Sequence, residues 1–344
     1  MKYEVTIGIP VYNVERYIRL TMDSVLAQTF QSIEFLVLDD CGTDSSMDIV
    51  REYQQNHPRG KDIRVVRQPE NGGIGCARNR IVDEAQGMYL YFIDADDAIA
   101  PNTIELLYEN AKKYDADIVY GSHERIEEFD GKIEKTLFQY PDLQFLKEYE
   151  FADKVYSQYG FLQANTWNFL IKRDIFMKNG IRYKKVNYWE DFSTTINLPI
   201  YIHRAVLLSD ITYFYYCRYG SLSIYEKRSH IDKEEILKTI HAMGEVKHSY
   251  SHVLSKPYFH KWLYKVMMTH FYIVCTILAN KRIISPAFTT REIRDIMKSP
   301  LSFAEICQMK AWRLKNLSLF SFGILPPLMS VLLMWILGKI RKLV

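Results

Sequence analysis

The sequence predicts an α/β fold in which a mostly parallel sheet is flanked by helices and followed by a helical C-terminal extension. Over residues 3–121, short apolar segments alternate with segments whose apolar residues recur at helical spacing. This alternation is typical of parallel sheets with right-handed crossovers. Two further observations support the prediction: four of the apolar segments end in polar or acidic residues, and residues 232–310 have a mostly helical pattern.

The predicted strands are short and rich in Val, Ile, Tyr and Phe, as expected for strands buried on both faces. They are EVTIGIP (4–10), IEFLVLDD (33–40), IRVVRQ (63–68), MYLYFID (88–94) and DIVYGS (117–122). Helices are predicted between them over 15–28, 44–56 and 101–114, with Thr43 or Asp44 as a cap of the second and Pro101 opening the third.

The composition limits the classes of partner and compartment. The net charge is +3, from 44 basic and 41 acidic residues among 344, which gives no support to a nucleic-acid partner. The five cysteines are scattered without a CxxC pair, which argues against a disulfide framework or a zinc site. Glu4 and Pro10 interrupt the apolar run that a signal peptide would need, so we expect a cytosolic N-terminal half.

The C-terminal segment is apolar. Residues 317–338 carry no charge over 22 positions and are flanked by basic residues on both sides. The segment is long enough to span a bilayer, but Pro326 and Pro327 divide it into two short halves. We therefore expect an anchor that lies on the membrane or re-enters it. A true span and an apolar helix packed on the core are the alternatives.

Polar residues follow four of the predicted strands. The strand ends read IPVYN, LDDCGTD, QPENGG and IDADD. Since ligands bind at the carboxyl ends of parallel strands, we interpret these ends as one site. Asp94, Asp96 and Asp97 would repel one another unless a cation lies near them, and Mg²⁺ or Mn²⁺ prefers such oxygen ligands together with phosphate. The alternative is that Asp and Asn serve only turns and caps.

A glycine-rich turn follows the third predicted strand. In NGGIGCARNR (71–80), the glycines allow backbone N–H groups to approach a ligand, and Arg78 can bind a carboxylate or a diphosphate. The turn is neither a Walker loop nor a GxGxxG fingerprint, which disfavours an ATPase or a dehydrogenase.

Taken in order, these segments resemble family-2 glycosyltransferases, which have the GT-A fold. The resemblance rests on IPVYNVERYIRLTMDSVLAQTF, VLDDCGTDSS, NGGIGCARN, FIDADD, WNFLIKRDIF, YWEDF and YYCRYGSLS. It implies a GT-A domain over 1–225, with a nucleotide-binding half (1–122) and an acceptor half (123–225). A helical region (226–316) and a membrane-associating tail (317–344) would follow.

The resemblance also implies the site residues. Pro10, Tyr12 and Asn13 would line the base and the ribose, Asp40 would bind the uracil ring, and Arg78 would lie beneath the base and Asp40. The full set for the nucleotide sugar is Pro10, Tyr12, Asn13, Asp40, Asn71, Arg78, Asp94, Asp96, Arg218, Ser221 and Ser223.

The same resemblance assigns the chemistry. Asp96 and Asp97 of the DxD element are the expected metal ligands, with either one holding ribose and metal. Asp191 would be the general base, and Glu190 would help to hold the acceptor. Arg218 would approach the diphosphate together with the two serines. The chain departs from the family pattern mainly at Cys41 and Gly42, where the family usually has Gly-Ser.

The predicted function is that of an inverting glycosyltransferase that uses Mn²⁺ or Mg²⁺. It would move a sugar from a nucleotide-diphosphate sugar, most simply a UDP-sugar, to a surface polysaccharide or lipid-linked glycan at the cytosolic face of the membrane. One alternative is a nucleotidyltransferase, which IPVYNVERY disfavours because it has no glycine after the first strand. The other is a non-catalytic scaffold that binds nucleotide sugars or docks on a membrane.

Overall fold

The computed structural model describes residues 3–344 except 159, 163, 187–189 and 219–228. The chain divides into two compact units. The first unit contains Met1–Phe151, Ala164–Lys185 and Glu190–Tyr225, and the second contains Ala152–Gln163, Val186–Trp189 and Glu226–Val344.

The first unit is built on a ten-stranded sheet. Its strands are β1 (Tyr3–Val11), β2 (Ile33–Asp39), β3 (Ile63–Arg67), β4 (Gly87–Phe92), β5 (Ala98–Ile99), β6 (Ile118–Phe129), β7 (Lys132–Phe138), β8 (Leu143–Phe145), β9 (Phe169–Lys172) and β10 (Ala205–Cys217). The main order is β3-β2-β1-β4-β9-β6-β10-β5, with β7 beside β6 and β8 beside β10. All five predicted strands are present.

Helices connect and cover these strands. They are α1 (Ile18–Leu26), α2 (Ser46–Asn56), α3 (Ile74–Glu84), α4 (Thr103–Lys113), α6 (Arg173–Asn179) and α7 (Glu190–Thr195), whereas α5 (Glu150–Ser157) belongs mainly to the second unit. The predicted helices begin two or three residues later than the apolar patterns suggested. Val25 of α1 and Leu107 of α4 are fully buried in the same core cluster as Ile7 of β1, as the spacing indicated.

The sheet is mixed, which refines the prediction of a mostly parallel one. β3, β2, β1 and β4 are mutually parallel. The next strand, β9, lies antiparallel between β4 and β6, so the fifth predicted strand does not adjoin the fourth. A four-residue apolar run such as FLIK can form a buried strand in either direction, and its neighbours are set by contacts distant in sequence.

The second unit is mainly helical, as predicted for the region after residue 226. It contains β11 (Ile231–Asp232), α8 (Lys233–His248), α9 (Phe259–Ala279), β12 (Ile284–Ser285), α10 (Thr290–Ile296), α11 (Phe303–Cys307), α12 (Arg313–Ile324) and α13 (Pro327–Ile340). The apolar tail breaks between α12 and α13, where the two prolines predicted a break.

Helix α9 is the centre of the second unit. Trp262, Val266 and Val274 on this helix are fully buried. Among the described residues, α9 is the helix long and apolar enough to cross a membrane by length and composition, and 78% of its most apolar window is buried inside the structure. A core helix of a compact unit has the same composition.

Asn168 joins three strands of the first unit near the site. Its amide nitrogen donates to the carbonyl oxygens of Gly121 at 2.7 Å and Ser122 at 3.0 Å. Its amide oxygen accepts from Thr212 Oγ1 at 2.6 Å and from Tyr91 Oη at 3.3 Å. One buried side chain thus satisfies polar groups of β4, β6 and β10.

We expect Asn168→Ala to lower the free energy of unfolding by about 2–4 kcal/mol, because several buried polar groups lose their partner. Urea denaturation followed by circular dichroism measures the change. The control is Asn179→Ala, since Asn179 is exposed and donates within its own helix, to the Ile175 carbonyl oxygen. Equal stability of the two variants would contradict the role of Asn168.

Candidate functional site

A buried arginine forms the centre of the site. Arg78 on α3 is 2% exposed, and its Nη1 donates to Glu190 Oε1 at 3.0 Å and to Asp191 Oδ1. Its Nη2 donates to Asp94 Oδ1 at 3.0 Å. One guanidinium therefore joins the acidic end of β4 to the first turn of α7, two regions that are about 100 residues apart in sequence.

The glycine-rich turn positions α3 and hence Arg78. Asp40, which follows β2, accepts from the backbone N–H of Gly72 at 2.9 Å and of Gly73 at 3.0 Å. Gly73 has φ +77°, a conformation that favours glycine. At Gly75, an added Cβ would lie 2.4 Å from the carbonyl oxygen of Lys184, so α3 packs closely against the segment before α7.

The carboxylates around Arg78 have altered proton affinity. Burial would lower the pKa of Arg78, but Asp191, Asp94 and Glu190 together raise it above its ordinary value. Burial and the charge of Asp191 raise the pKa of Glu190 to about 7, against the opposing effect of Arg78. Burial likewise raises the pKa of Asp94, although Arg78 opposes the shift. Such shifts are frequent at functional sites.

The three aspartates of the DxD element have different surroundings. Asp94 pairs with Arg78. Asp97 is fully buried, and its carboxylate accepts from Tyr213 Oη at 2.7 Å and from the Tyr216 backbone N–H at 2.8 Å. Burial raises the pKa of Asp96 to about 6, with a further contribution from Asp94. Burial, together with the charges of Asp96 and Asp94, also raises the pKa of Asp97 well above its ordinary value.

Asp96 and Asp97 are the predicted metal ligands. Asp97 stays a predicted metal ligand: each of its oxygens accepts one hydrogen bond, from Tyr213 Oη or from the Tyr216 N–H, and keeps a second lone pair. Within the described ranges, no group of three or more His, Cys, Asp or Glu residues is arranged to hold a metal ion. Asp96 nevertheless fits a Mg²⁺ or Mn²⁺ ion that takes its remaining ligands from phosphate and water.

The residues expected at the nucleotide base lie around the ends of β1 and β2. Pro10 is buried within β1, Tyr12 is exposed, and Asn13 accepts from the Thr43 backbone N–H at 2.7 Å. Asn71 accepts from the Gly73 N–H at 3.1 Å. A cavity of about 130 Å³ opens beside them, with Val11, Asn13, Asp39, Gly42 and Arg67 among its lining residues.

The turn after Asp40 contains the main departure from the family pattern. Cys41 has φ +62°, in the left-handed region that glycine favours. Its N–H donates to Asp39 Oδ1 at 2.9 Å, and its Sγ lies 3.1 Å from the Gln68 carbonyl oxygen. The cysteine therefore adopts a glycine-like conformation in which these contacts hold it.

Arg218 reaches the DxD element from the end of β10. Its Nη1 donates to the Asp96 carbonyl oxygen at 3.1 Å. The guanidinium lies over the rings of Tyr17 and Tyr216, with centroids at 4.5 and 4.3 Å. The predicted partners of Arg218, Ser221 and Ser223, lie outside the described residues.

Arg78 and Asp40 have different partners in the structure: Asp40 binds the glycine turn, and Arg78 binds Asp94, Glu190 and Asp191. That Arg78 lies beneath the base and Asp40, as the resemblance implied, stays a prediction. The partners of Arg78 follow from electrostatics, because three carboxylates attract one buried cation more strongly than a carboxylate already bonded to backbone N–H groups.

Sequence reasoning missed two side chains of the site. Thr166 donates through Oγ1 to Asp191 Oδ1, and Tyr213 donates to Asp97 while accepting from the Asp94 backbone N–H at 3.2 Å. Thr166 directly precedes the Trp-Asn pair of WNFLIKRDIF, and Tyr213 lies in β10 just before YYCRYGSLS. Neither position carries a signal of its own.

We expect the burial of Glu190 to make the free energy of unfolding depend on pH. The pKa of about 7 in the folded chain exceeds the reference value of 4.5, so the folded state binds more protons between these values. The free energy of unfolding should therefore fall as pH rises from 5 to 8. Chemical denaturation across this range, in the presence of chelator, should show a smaller fall for Glu190→Gln than for the wild type.

The control for this experiment is Glu148→Gln, because Glu148 is exposed. That variant should follow the pH dependence of the wild type. If Glu190→Gln and the wild type lose stability in parallel from pH 5 to 8, the proton affinity assigned to Glu190 is wrong.

The chain was compared with known proteins. The family described as Glycosyl transferase family 2 matches residues 6–180, just over half of the chain. Glycosyltransferase GlyG of Streptococcus pneumoniae serotype 4 is 28% identical over 229 residues, covering 63% of this chain and 72% of GlyG. The cholesterol galactosyltransferase of Borreliella burgdorferi is 25% identical over 292 residues, covering 81% of this chain and 79% of that protein.

The fold is also similar to that of a solved structure. Residues 1–349 of S. aureus TarS superpose with a TM-score of 0.66 at 16% identity, covering 93% of this chain and 90% of that one. TarS has also been solved in complex with UDP-GlcNAc. At this identity the likeness concerns the fold alone, and it agrees with the GT-A class expected from the motifs. The family match shows that the chain belongs to glycosyl transferase family 2 and is a glycosyltransferase.

Proposed function

We propose that the protein is an inverting glycosyltransferase that moves a sugar from a nucleotide-diphosphate sugar to an acceptor hydroxyl. The observation that carries the proposal is the set of ion pairs that Arg78 makes with Asp94, Glu190 and Asp191. Through these pairs Arg78 holds Asp191, the candidate base, beside the DxD element, where the leaving diphosphate would bind. A base and a leaving-group site on the two sides of one sugar are what a single in-line displacement requires.

A UDP-sugar is the donor that we propose. Support comes from the position of Tyr12, Asn13 and Asp40 at the ends of β1 and β2, where a base and ribose can bind. The similar fold of TarS, which binds UDP-GlcNAc, agrees with this donor class. Arg218, beside Asp96, supplies positive charge where the diphosphate would lie.

Asp191 is the group that we propose to take the acceptor proton. The hydrogen bonds from Arg78 and Thr166 to its Oδ1 restrict the orientation of the carboxylate. As the acceptor oxygen attacks the anomeric carbon, the proton passes to Asp191 and the bond to the diphosphate breaks on the opposite face. The configuration inverts in one step, so an α-linked donor yields a β-linked product.

Two further groups assist this step. Glu190, beside the base, has a pKa near neutrality and can hydrogen-bond the acceptor in either protonation state. A divalent cation, Mn²⁺ or Mg²⁺, held at Asp96 would neutralise the charge that develops on the leaving diphosphate. We propose a surface polysaccharide or a lipid-linked glycan as the acceptor.

We expect Asp191→Asn to lose transfer while it keeps donor binding. The amide cannot accept the acceptor proton, so the turnover rate should fall roughly 10²–10⁴-fold. UDP release in the presence of acceptor measures the rate, and calorimetry with the donor measures binding. A matched control is Asp174→Asn, because Asp174 is an exposed residue of α6. Turnover like that of the wild type in Asp191→Asn would remove Asp191 from the role.

Metal removal should stop UDP release. We expect chelator to abolish it and excess Mn²⁺ or Mg²⁺ to restore it, and Asp96→Asn to require roughly tenfold more metal for half-maximal activity because one charged ligand is lost. Asp97→Asn is the comparison: it should lower the melting temperature, since Asp97 bonds to Tyr213 and the Tyr216 backbone. Release that is indifferent to chelator would contradict the metal assignment.

A further inference from the structure

Helix α13 exposes most of its large apolar side chains and buries one narrow face that contains two small residues and a methionine. Its buried positions are Ser330, Met334 and Gly338, which lie on one face at a spacing of four. Most of its remaining surface consists of exposed apolar residues, namely Leu328, Met329, Leu332, Trp335, Ile336, Leu337 and Ile340. We call these seven residues the α13 apolar face. A helix that packs on a core normally buries its largest apolar residues instead.

The small residues fit α13 closely against the rest of the second unit. Ser330 Oγ donates to the Phe322 carbonyl oxygen of α12 at 2.7 Å. A Cβ at Gly338 would lie 3.2 Å from Cys275 Sγ of α9. Rotating the helix to bury the leucines would remove this bond and force larger side chains into the contact. The exposure of the α13 apolar face is therefore a consequence of specific packing.

The exposure is extensive. The side chains of Leu328, Leu332 and Ile340 are 74%, 54% and 71% exposed. Ile324, at the end of α12, is 63% exposed. Contiguous apolar surface of this kind is uncommon on soluble proteins and marks an interaction site. Each leucine or isoleucine that leaves water gains free energy in proportion to the area it buries.

The charges around this face indicate the kind of partner. Residues 306–344 contain no Asp or Glu, while six basic residues flank the apolar run: Lys310, Arg313, Lys315, Lys339, Arg341 and Lys342. Lys339 is the charged residue within α13 itself, and both Lys339 and Lys342 are exposed. Basic residues beside exposed leucines and a tryptophan are typical of segments that bind anionic membranes.

We propose that the α13 apolar face inserts into the interfacial region of an anionic phospholipid bilayer. The helix would lie in the plane of the membrane, with its small residues kept against α9 and α12. At 14 residues, α13 is about 21 Å long, too short for a hydrocarbon core of about 30 Å. Trp335 would lie at the level of the headgroups, which tryptophan prefers.

A second copy of the chain is a poorer occupant of this surface. A two-fold dimer through the α13 apolar face would bring the two sets of basic residues together without any acidic residue of the segment to balance them. Anionic headgroups complement the same charges. The inference does not depend on the proposed donor or acceptor, because membrane binding is measured without any sugar.

The test is co-sedimentation of the full chain with vesicles, some containing phosphatidylglycerol and others only phosphatidylcholine. We expect binding to the anionic vesicles that weakens with added salt. The double variant Leu328→Gln/Leu332→Gln should lower the partition constant roughly tenfold or more, because two exposed leucines no longer enter the bilayer. Lys339→Gln/Lys342→Gln should lower it by a similar factor on anionic vesicles and leave the binding to neutral vesicles unchanged.

The matched control is Ile133→Gln/Leu254→Gln. These residues are 63% and 54% exposed, fractions similar to those of Leu328 and Leu332, but they lie outside the α13 apolar face. This control should bind vesicles like the wild type. Melting temperatures show whether each variant is folded. If the leucine variant does not fold, the lysine variant still tests the proposal.

Brominated lipids report the depth of the helix. Quenching of tryptophan fluorescence should occur in the wild type and decrease in Trp335→Phe. The proposal is wrong if the wild type does not bind anionic vesicles, or if the leucine variant and the control lose binding equally. It is also wrong if sedimentation equilibrium shows a dimer that the leucine variant dissociates while vesicle binding is unaffected.

Discussion

The site depends on the pairing of one buried arginine with three carboxylates. Arg78 is enclosed by protein, and an unpaired guanidinium there would be strongly destabilising. Asp94, Glu190 and Asp191 supply the compensating charge, and each would itself be costly to bury without Arg78. Because neither side is stable alone, the pairing holds the DxD element and the first turn of α7 together before any donor or acceptor binds.

The rest of the first unit keeps Arg78 in place. Asp40 accepts two N–H groups of the glycine turn, which sets where α3 begins. Asn79 on the same helix accepts from the Tyr183 N–H and donates to its carbonyl oxygen, which fixes the segment leading to α7. The antiparallel strand β9 then follows Thr166, the residue that bonds to Asp191. These contacts restrict the candidate base from two directions.

The three aspartates that follow β4 have different roles because their surroundings differ. Asp94 balances Arg78, and Asp97 is a buried acceptor that ties the end of β4 to β10 through Tyr213 and Tyr216. Asp96 is left beside Arg218 with a pKa raised toward neutrality. Three acidic side chains in four positions are thus tolerated because Asp94 and Asp97 have protein partners and because burial raises the pKa of all three.

The sequence by itself determined the α/β class, the strands of the parallel half and the break in the apolar tail. These features follow from local periodicity and from the positions of the prolines. Only the tertiary structure decided the antiparallel insertion of β9, the partners of Arg78 and the contribution of Thr166. Each of these depends on contacts between residues distant in the chain, where burial and charge compensation, rather than local pattern, select the partner.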